Sequence, residues 1–138
     1  MSMPEAVFYE PRSVPLPRRT VVYVMVGAAR LLATQSPRRI RRVLGWLRGG
    51  AKPATVEQAK AAWDDVMAVS LTCAGREGCV PRSLAIVLLC RLRRAWPTWC
   101  VGARRVPPFA AHAWVEADGV MVGDQYPPDY FRTLFTVP

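Results

Sequence analysis

Beyond its proline-rich first 19 residues, every segment of this chain with helical periodicity lies ahead of every segment with strand character. That segregation leaves few folds open. Alternating helices and strands would wind a parallel sheet, whereas helices first and strands afterwards make an α+β fold with a small antiparallel sheet. The helical part is punctuated clearly. Thr20 to Ala33 is apolar enough for a buried helix, and Ser36-Pro37 opens a second one as N-cap and first-turn proline. This helix runs through RRIRRVLGWLR and stops at Gly49-Gly50, with Ile40, Val43, Leu44 and Leu47 as its apolar stripe. After a linker at Lys52 to Thr55, Thr55 and Gln58 form a capping box for a third helix through Ala59, Ala62, Trp63, Val66, Met67 and Ser70. AGREG at 74–78 breaks the pattern, and a fourth helix runs from Cys79 to about Ala95. The strand-prone segment Thr98 to Arg105, the Pro107-Pro108 break and a hairpin around His112 follow. Ahead of all this, residues 1–19 carry four prolines and are expected to be extended, with one short strand at Val7 to Tyr9. No internal repeat is visible. Residues 1–52 read as a basic helical N-terminal region and 53–138 as the core, together one compact unit.

Composition narrows the function. With 51% hydrophobic and 21% charged residues, the chain has the make-up of a globular domain. The net charge of +9 invites a nucleic-acid partner. Only Lys52 and Lys60 are lysines, however, so the excess of arginine reflects coding bias as much as a phosphate footprint. An acidic peptide or protein would be attracted equally well, and nucleic acid is not the expected partner. Cys73, Cys79, Cys90 and Cys100 include no CxxC pair, and there is one histidine, so neither a metal nor another cofactor is expected. The apolar run Val21 to Ala29 imitates a signal peptide faintly, but it is cut by Arg30 and is far short of the ~20 residues that span a bilayer. These readings point to a cytoplasmic protein with reduced thiols and no membrane span.

Chemistry concentrates in three residues. Cys79 stands between Gly78 and Val80-Pro81, and a proline is tolerated only in a helix's first turn, so the helix begins at or beside Cys79. A thiol there faces unpaired backbone N–H groups and the positive end of the helix dipole, which favour thiolate. The same N–H groups can hold a developing oxyanion. Cys73, Cys90 and Cys100 lack this setting and read as small buried hydrophobes. The single histidine, His112, supplies a general base, and Asp124 a carboxylate to orient it. Trp114 shares the His112 face as a possible shield, and Glu116 is a weaker candidate for orienting the base.

The hairpin register decides whether His112 and Asp124 can meet. A two-residue turn at Asp118-Gly119 would pair Ala117 with Val120 and send the two side chains to opposite faces. A three-residue loop, Ala117-Asp118-Gly119, with Gly119 in the left-handed position, would pair Glu116 with Val120 and set His112 directly opposite Asp124. The catalytic register therefore requires the longer loop.

The blocks Cys79-Val80-Pro81-Arg82-Ser83-Leu84, Val101-Gly102-Ala103-Arg104-Arg105 and Phe109-Ala110-Ala111-His112-Ala113-Trp114-Val115-Glu116, closing at Asp118-Gly119 and Asp124, resemble the lasso-peptide leader peptidases. These are transglutaminase-like cysteine proteases. The likeness spans about residues 55–130 and implies a papain/transglutaminase-like fold, with Cys79 as nucleophile, His112 as base and Asp124 as orienting acid. It implies a cysteine endopeptidase that removes the leader from a ribosomally made precursor through a thioester. Many relatives carry an additional leader-binding domain, for which this chain looks too short. The resemblance therefore implies a separate leader-recognition protein as partner, with an ATP-dependent lasso cyclase acting afterwards. Two alternatives remain: an acyl transferase of the same fold, and a non-catalytic basic module that binds nucleic acid or an acidic protein.

Overall fold

The computed structural model describes residues 16–69, 78–108, 110–123, 126–127 and 129–138. Helix α1 (Leu16–Ala33) is followed by α2 (Pro37–Leu47), a two-residue strand β1 (Lys52–Pro53), α3 (Val56–Val69) and α4 (Cys79–Leu92). The strands β2 (Ala95–Trp96), β3 (Thr98–Arg104), β4 (Ala111–Ala117), β5 (Val120–Met121) and β6 (Phe131–Val137) complete the chain. The four-stranded antiparallel sheet has the order β5-β4-β3-β6. The fold is α+β, as the order of the sequence patterns requires.

The helix signals act where they stand. Ser36 accepts a hydrogen bond from the N–H of Arg39 at 3.3 Å, with Pro37 opening α2. Thr55 and Gln58 cap each other reciprocally, at 2.9 and 3.1 Å, at the start of α3. At the other end of α2, the Arg91 guanidinium donates to the carbonyls of Leu47 and Gly49, tying α2 to α4. Helix α4 is the centre of the molecule: Leu84, Ala85, Ile86, Val87, Leu89 and Cys90 are all buried. Val22, Val26 and Ala29 of α1, Ile40 and Leu44 of α2, Ala62 and Val66 of α3, and Trp99, Ala113 and Val115 of the sheet join it in one cluster. The hydrophobic core thus runs across residue 52 without interruption.

Five sequence expectations change. Residues 16–19, expected to be extended, open α1, which begins at Leu16 rather than Thr20 with Pro17 tolerated in its first turn. Helix α1 is not buried all round: Val21, Tyr23, Val24 and Leu31 are exposed, because only the stripe carrying Val22, Val26 and Ala29 meets the core. The expected linker at Lys52 to Thr55 includes β1, which pairs in parallel with β2. Helix α4 ends at Leu92 rather than near Ala95, since Arg94 takes a left-handed conformation (φ 65°) that releases Ala95-Trp96 into β2. Finally, β6 was not anticipated, and it forms one edge of the sheet. The expected strand at Val7 to Tyr9 lies outside the described residues.

Candidate active site

Cys79 is the first residue of α4, with Gly78 as N-cap and no side-chain cap on that turn. Pro81 offers no N–H, so the opening turn presents the N–H groups of Cys79 and Val80 without a capping side chain. The turn is fixed against the sheet by a short relay. Trp99 Nε1 donates to Ser83 Oγ at 2.9 Å, and Ser83 Oγ donates to the carbonyl of Val80 at 2.9 Å. Trp99 is on β3, which pairs with the strand carrying His112, so the relay sets the nucleophile and base elements relative to each other.

The hairpin corrects the expected register. Ala117 pairs with Val120 and Glu116 with Met121, so the loop is the two-residue turn Asp118-Gly119. Both central residues have positive φ, 52° at Asp118 and 75° at Gly119, as a type I′ turn demands. Asp-Gly suits that turn, whose twist matches the flanking strands, so no bulge residue is needed. The direct pairing of His112 with Asp124 therefore does not form through a three-residue loop.

The short β5 has a second consequence. Its last rung is Val122 N–H to Val115 O at 3.0 Å, and Gly123 then turns at φ 85°. A Cβ on Gly123 would lie 2.1 Å from Trp63 Nε1, so the chain bends away beneath that indole only because glycine is there. Val115 points its polar groups toward β5, and Ala113, two residues away, points the same way. With β5 ended, Cys79 Sγ takes up the N–H of Ala113 and also hydrogen-bonds His112. The thiol thus sits beyond the free edge of β4. Asp124 lies outside the described residues, as does Cys73.

These contacts set the thiol's acidity. Burial alone pushes Cys79 up, but the hydrogen bonds from His112 and Ala113 N–H, with the positive charges of His112 and Arg82, bring it below the ordinary value of 9.0. The other two described cysteines go the opposite way. Burial pushes Cys90 up to about 12 despite Arg93, and burial with the charge and hydrogen bond of Glu116 does the same to Cys100. All three are free thiols. Their environments set Cys79 apart from Cys90 and Cys100, which are buried in the core.

Aromatic rings hold the imidazole. Phe131 stacks on His112 with centroids 4.7 Å apart and planes 15° apart, and it lies nearly parallel to Trp114 as well, at 5.4 Å. Trp114 stands beside His112 at 5.8 Å, and Tyr126 meets it edge-on at 5.5 Å. Gly102, directly across from His112 on β3, makes this stack possible. A Cβ there would lie 2.5 Å from Arg132 O and 2.8 Å from the Trp114 ring. Glu116 accepts from Trp114 Nε1 at 2.8 Å and also bonds the Cys100 thiol, which occupies it as a support of the stack. Phe131 and Tyr126 were missed as site residues. The alternation in FRTLFTV was the available signal for the strand that delivers Phe131.

No group of three or more His, Cys, Asp or Glu side chains among the described residues could hold a metal ion. A thiol at a helix N-terminus, hydrogen-bonded to an imidazole on the adjacent sheet, is an arrangement that can supply a thiol nucleophile. A family model described as transglutaminase-like superfamily matches residues 22–136, and the chain belongs to that superfamily. The superfamily includes both cysteine proteases and transglutaminases. No curated protein and no solved structure gives a significant match. No helix among the described residues is long and apolar enough to cross a membrane.

Proposed function

We propose that the chain is a cysteine endopeptidase that removes the leader from a lasso-peptide precursor, with Cys79 as nucleophile, His112 as general base and Asp124 as the group that orients His112; the Gly123 bend ends the β5 register, so strand alternation does not decide the face of the residue after it. The observation that carries the chemistry is the Cys79 thiol, lowered in pKa by His112 and Ala113 N–H while Cys90 and Cys100 are raised. The resemblance of the Cys79, Gly102 and His112 blocks to the leader peptidases carries the substrate.

In the acylation step Cys79 thiolate attacks the carbonyl at the leader–core junction, and the oxyanion forms against the N–H groups that open α4. The C–N bond then breaks as His112, protonated in the ion pair, gives its proton to the departing amine. The leader remains as a thioester on Cys79. Water attacks that thioester, His112 takes its proton, and the thiolate leaves. The freed core amine is the nucleophile that an ATP-dependent cyclase needs. A separate recognition protein would present the leader.

The test is to incubate the protein with a precursor and its recognition protein and to weigh the products. Free leader and core are expected, with none from Cys79→Ala, and turnover lowered on the order of 10³-fold by Asp124→Asn because the imidazole tautomer is no longer fixed. Intact precursor with wild type, or cleavage by Cys79→Ala, contradicts the assignment. Transfer of the leader to an added amine in preference to water would make the protein an acyl transferase instead.

A further inference from the structure

We propose that Arg104, with Tyr130 and Phe131, forms a carboxylate-binding subsite beside the Cys79–His112 pair that takes an acidic side chain on the segment leaving with the amine. The inference rests on the peptidase reading and names the substrate chemistry of that site.

Gly102 lies opposite His112, and Arg104, two residues on, lies opposite Phe131. Arg104 therefore projects from the His112 face of the sheet. Its guanidinium carbon is 5.3 Å from the Tyr130 ring centroid, and Tyr130 packs edge-on against Phe131 at 4.8 Å. Phe131 in turn stacks on His112. The four side chains form one continuous shelf, each half-buried with its remaining surface open to solvent.

Arg104 Nε is buried and has no hydrogen-bond partner among the described residues. A buried N–H left unmet is costly, and an arginine fork beside it is built to receive a carboxylate. No described carboxylate supplies one: Glu116 on the same face is engaged by Trp114 and Cys100. The neighbouring Arg105 and Arg132 are exposed and add positive charge. The aromatic rings meanwhile offer a floor for a peptide's apolar groups.

The position of His112 gives the subsite its direction. His112 protonates the departing amine, so the chain that follows that amine passes over the His112 side. Two residues along β3 and one strand across place Arg104 ~8 Å from His112. An extended substrate covers that span in roughly two or three residues.

Paired thiol reagents test this without a known substrate. N-(carboxyalkyl)maleimides with spacers of about two to five methylenes are compared with their neutral amides at low ionic strength, and the modified cysteine is mapped by mass. Wild type should react at Cys79 with one spacer length of acid about fivefold faster than with its amide, the upper range for a half-exposed ion pair. Arg104→Gln should bring that ratio close to one, while Arg105→Gln should keep the preference. A ratio near one in wild type, or a preference that survives Arg104→Gln, would overturn the subsite and leave the peptidase reading standing. Failure of both reagents to modify Cys79 would overturn the nucleophile assignment, and this inference with it.

Discussion

A thiol taken out of water is ordinarily harder to ionise: burial prevails over Arg93 at Cys90, and at Cys100 Glu116 adds to it. Cys79 escapes that rule because one imidazole, one backbone N–H and one buried arginine face it. The opposed shifts have opposite consequences for stability. Cys79 has its native pKa lowered, so its stabilising contribution is present above 9.0 and is lost as pH falls through the native value. Cys90 and Cys100 stay protonated in the native state up to about 12, while the unfolded chain sheds those protons from about 9.0. Stability from these two is therefore full below 9.0 and falls as pH rises toward 12. Urea unfolding at about pH 8 and about pH 11 should show a smaller alkaline loss in Cys100→Val than in wild type; an equal loss would mean the Cys100 thiol is not held protonated. Gly102 is the other decisive residue. Gly102→Ala must displace either the Trp114 ring or the β6 backbone, and thermal unfolding should show a loss of about 1–3 kcal/mol. An unchanged melting temperature would show that the stack has slack.

At the scale of elements, the site depends on where β5 stops. A β5 continuing two residues further would compete for the Ala113 N–H that Cys79 now uses. Gly123→Ala tests that device: its left-handed φ and the Trp63 indole both oppose a side chain, so a loss of about 2–3 kcal/mol is expected in urea unfolding. A variant as stable as wild type would contradict the packing at that bend. Helix starts were legible from the sequence because their causes are local: Ser36-Pro37, Thr55 with Gln58, and Pro81 each act within one turn. The Asp118-Gly119 loop length was misread because the catalytic register was allowed to choose the turn, when the two positive-φ residues choose it themselves. Strand β6 and β1 went unread for another reason. Their stability comes from partners distant in sequence, Thr98–Arg104 and Ala95–Trp96; β1 has two residues and little local signal, while the alternation in the seven of β6 marks a strand without naming its partner. That Cys79 opens a helix and that His112 lies on a strand were legible from local signals. The Ala113 N–H and the Phe131 stack were not, since both arise only when the sheet is assembled.

The whole molecule is a central helix held in place from several sides, with the nucleophile at its start. Buried Asp65 on α3 accepts from Arg93 at 2.7 Å and pairs with Arg18 of α1 at 3.5 Å, which ties three elements at the end of α4 remote from Cys79. Outside this frame lies the arginine face of α2. Arg41 is set over the Phe135 ring at 4.6 Å; Arg38, Arg39, Arg41, Arg42 and Arg48 are all exposed, and Arg38, Arg39 and Arg42 are the charges we propose for an acidic leader or recognition protein. Changing those three to glutamate should weaken precursor cleavage at limiting substrate without altering Cys79 alkylation, and salt should mimic the change, since surface charges are screened beyond ~10 Å at 0.1 M. Unaltered cleavage would return them to the role of a solvated helix face. The central claim, that Cys79 and His112 act as one nucleophile pair, is tested most directly by the pH dependence of iodoacetamide alkylation with the modified residue mapped by mass. Cys79 should react first, with a rate that persists below pH 9.0, while Cys90 and Cys100 are spared; in His112→Gln the reactive range should move upward, because burial then acts with fewer opposing contacts. Modification of Cys90 or Cys100 ahead of Cys79, or an unmoved profile in His112→Gln, would contradict it.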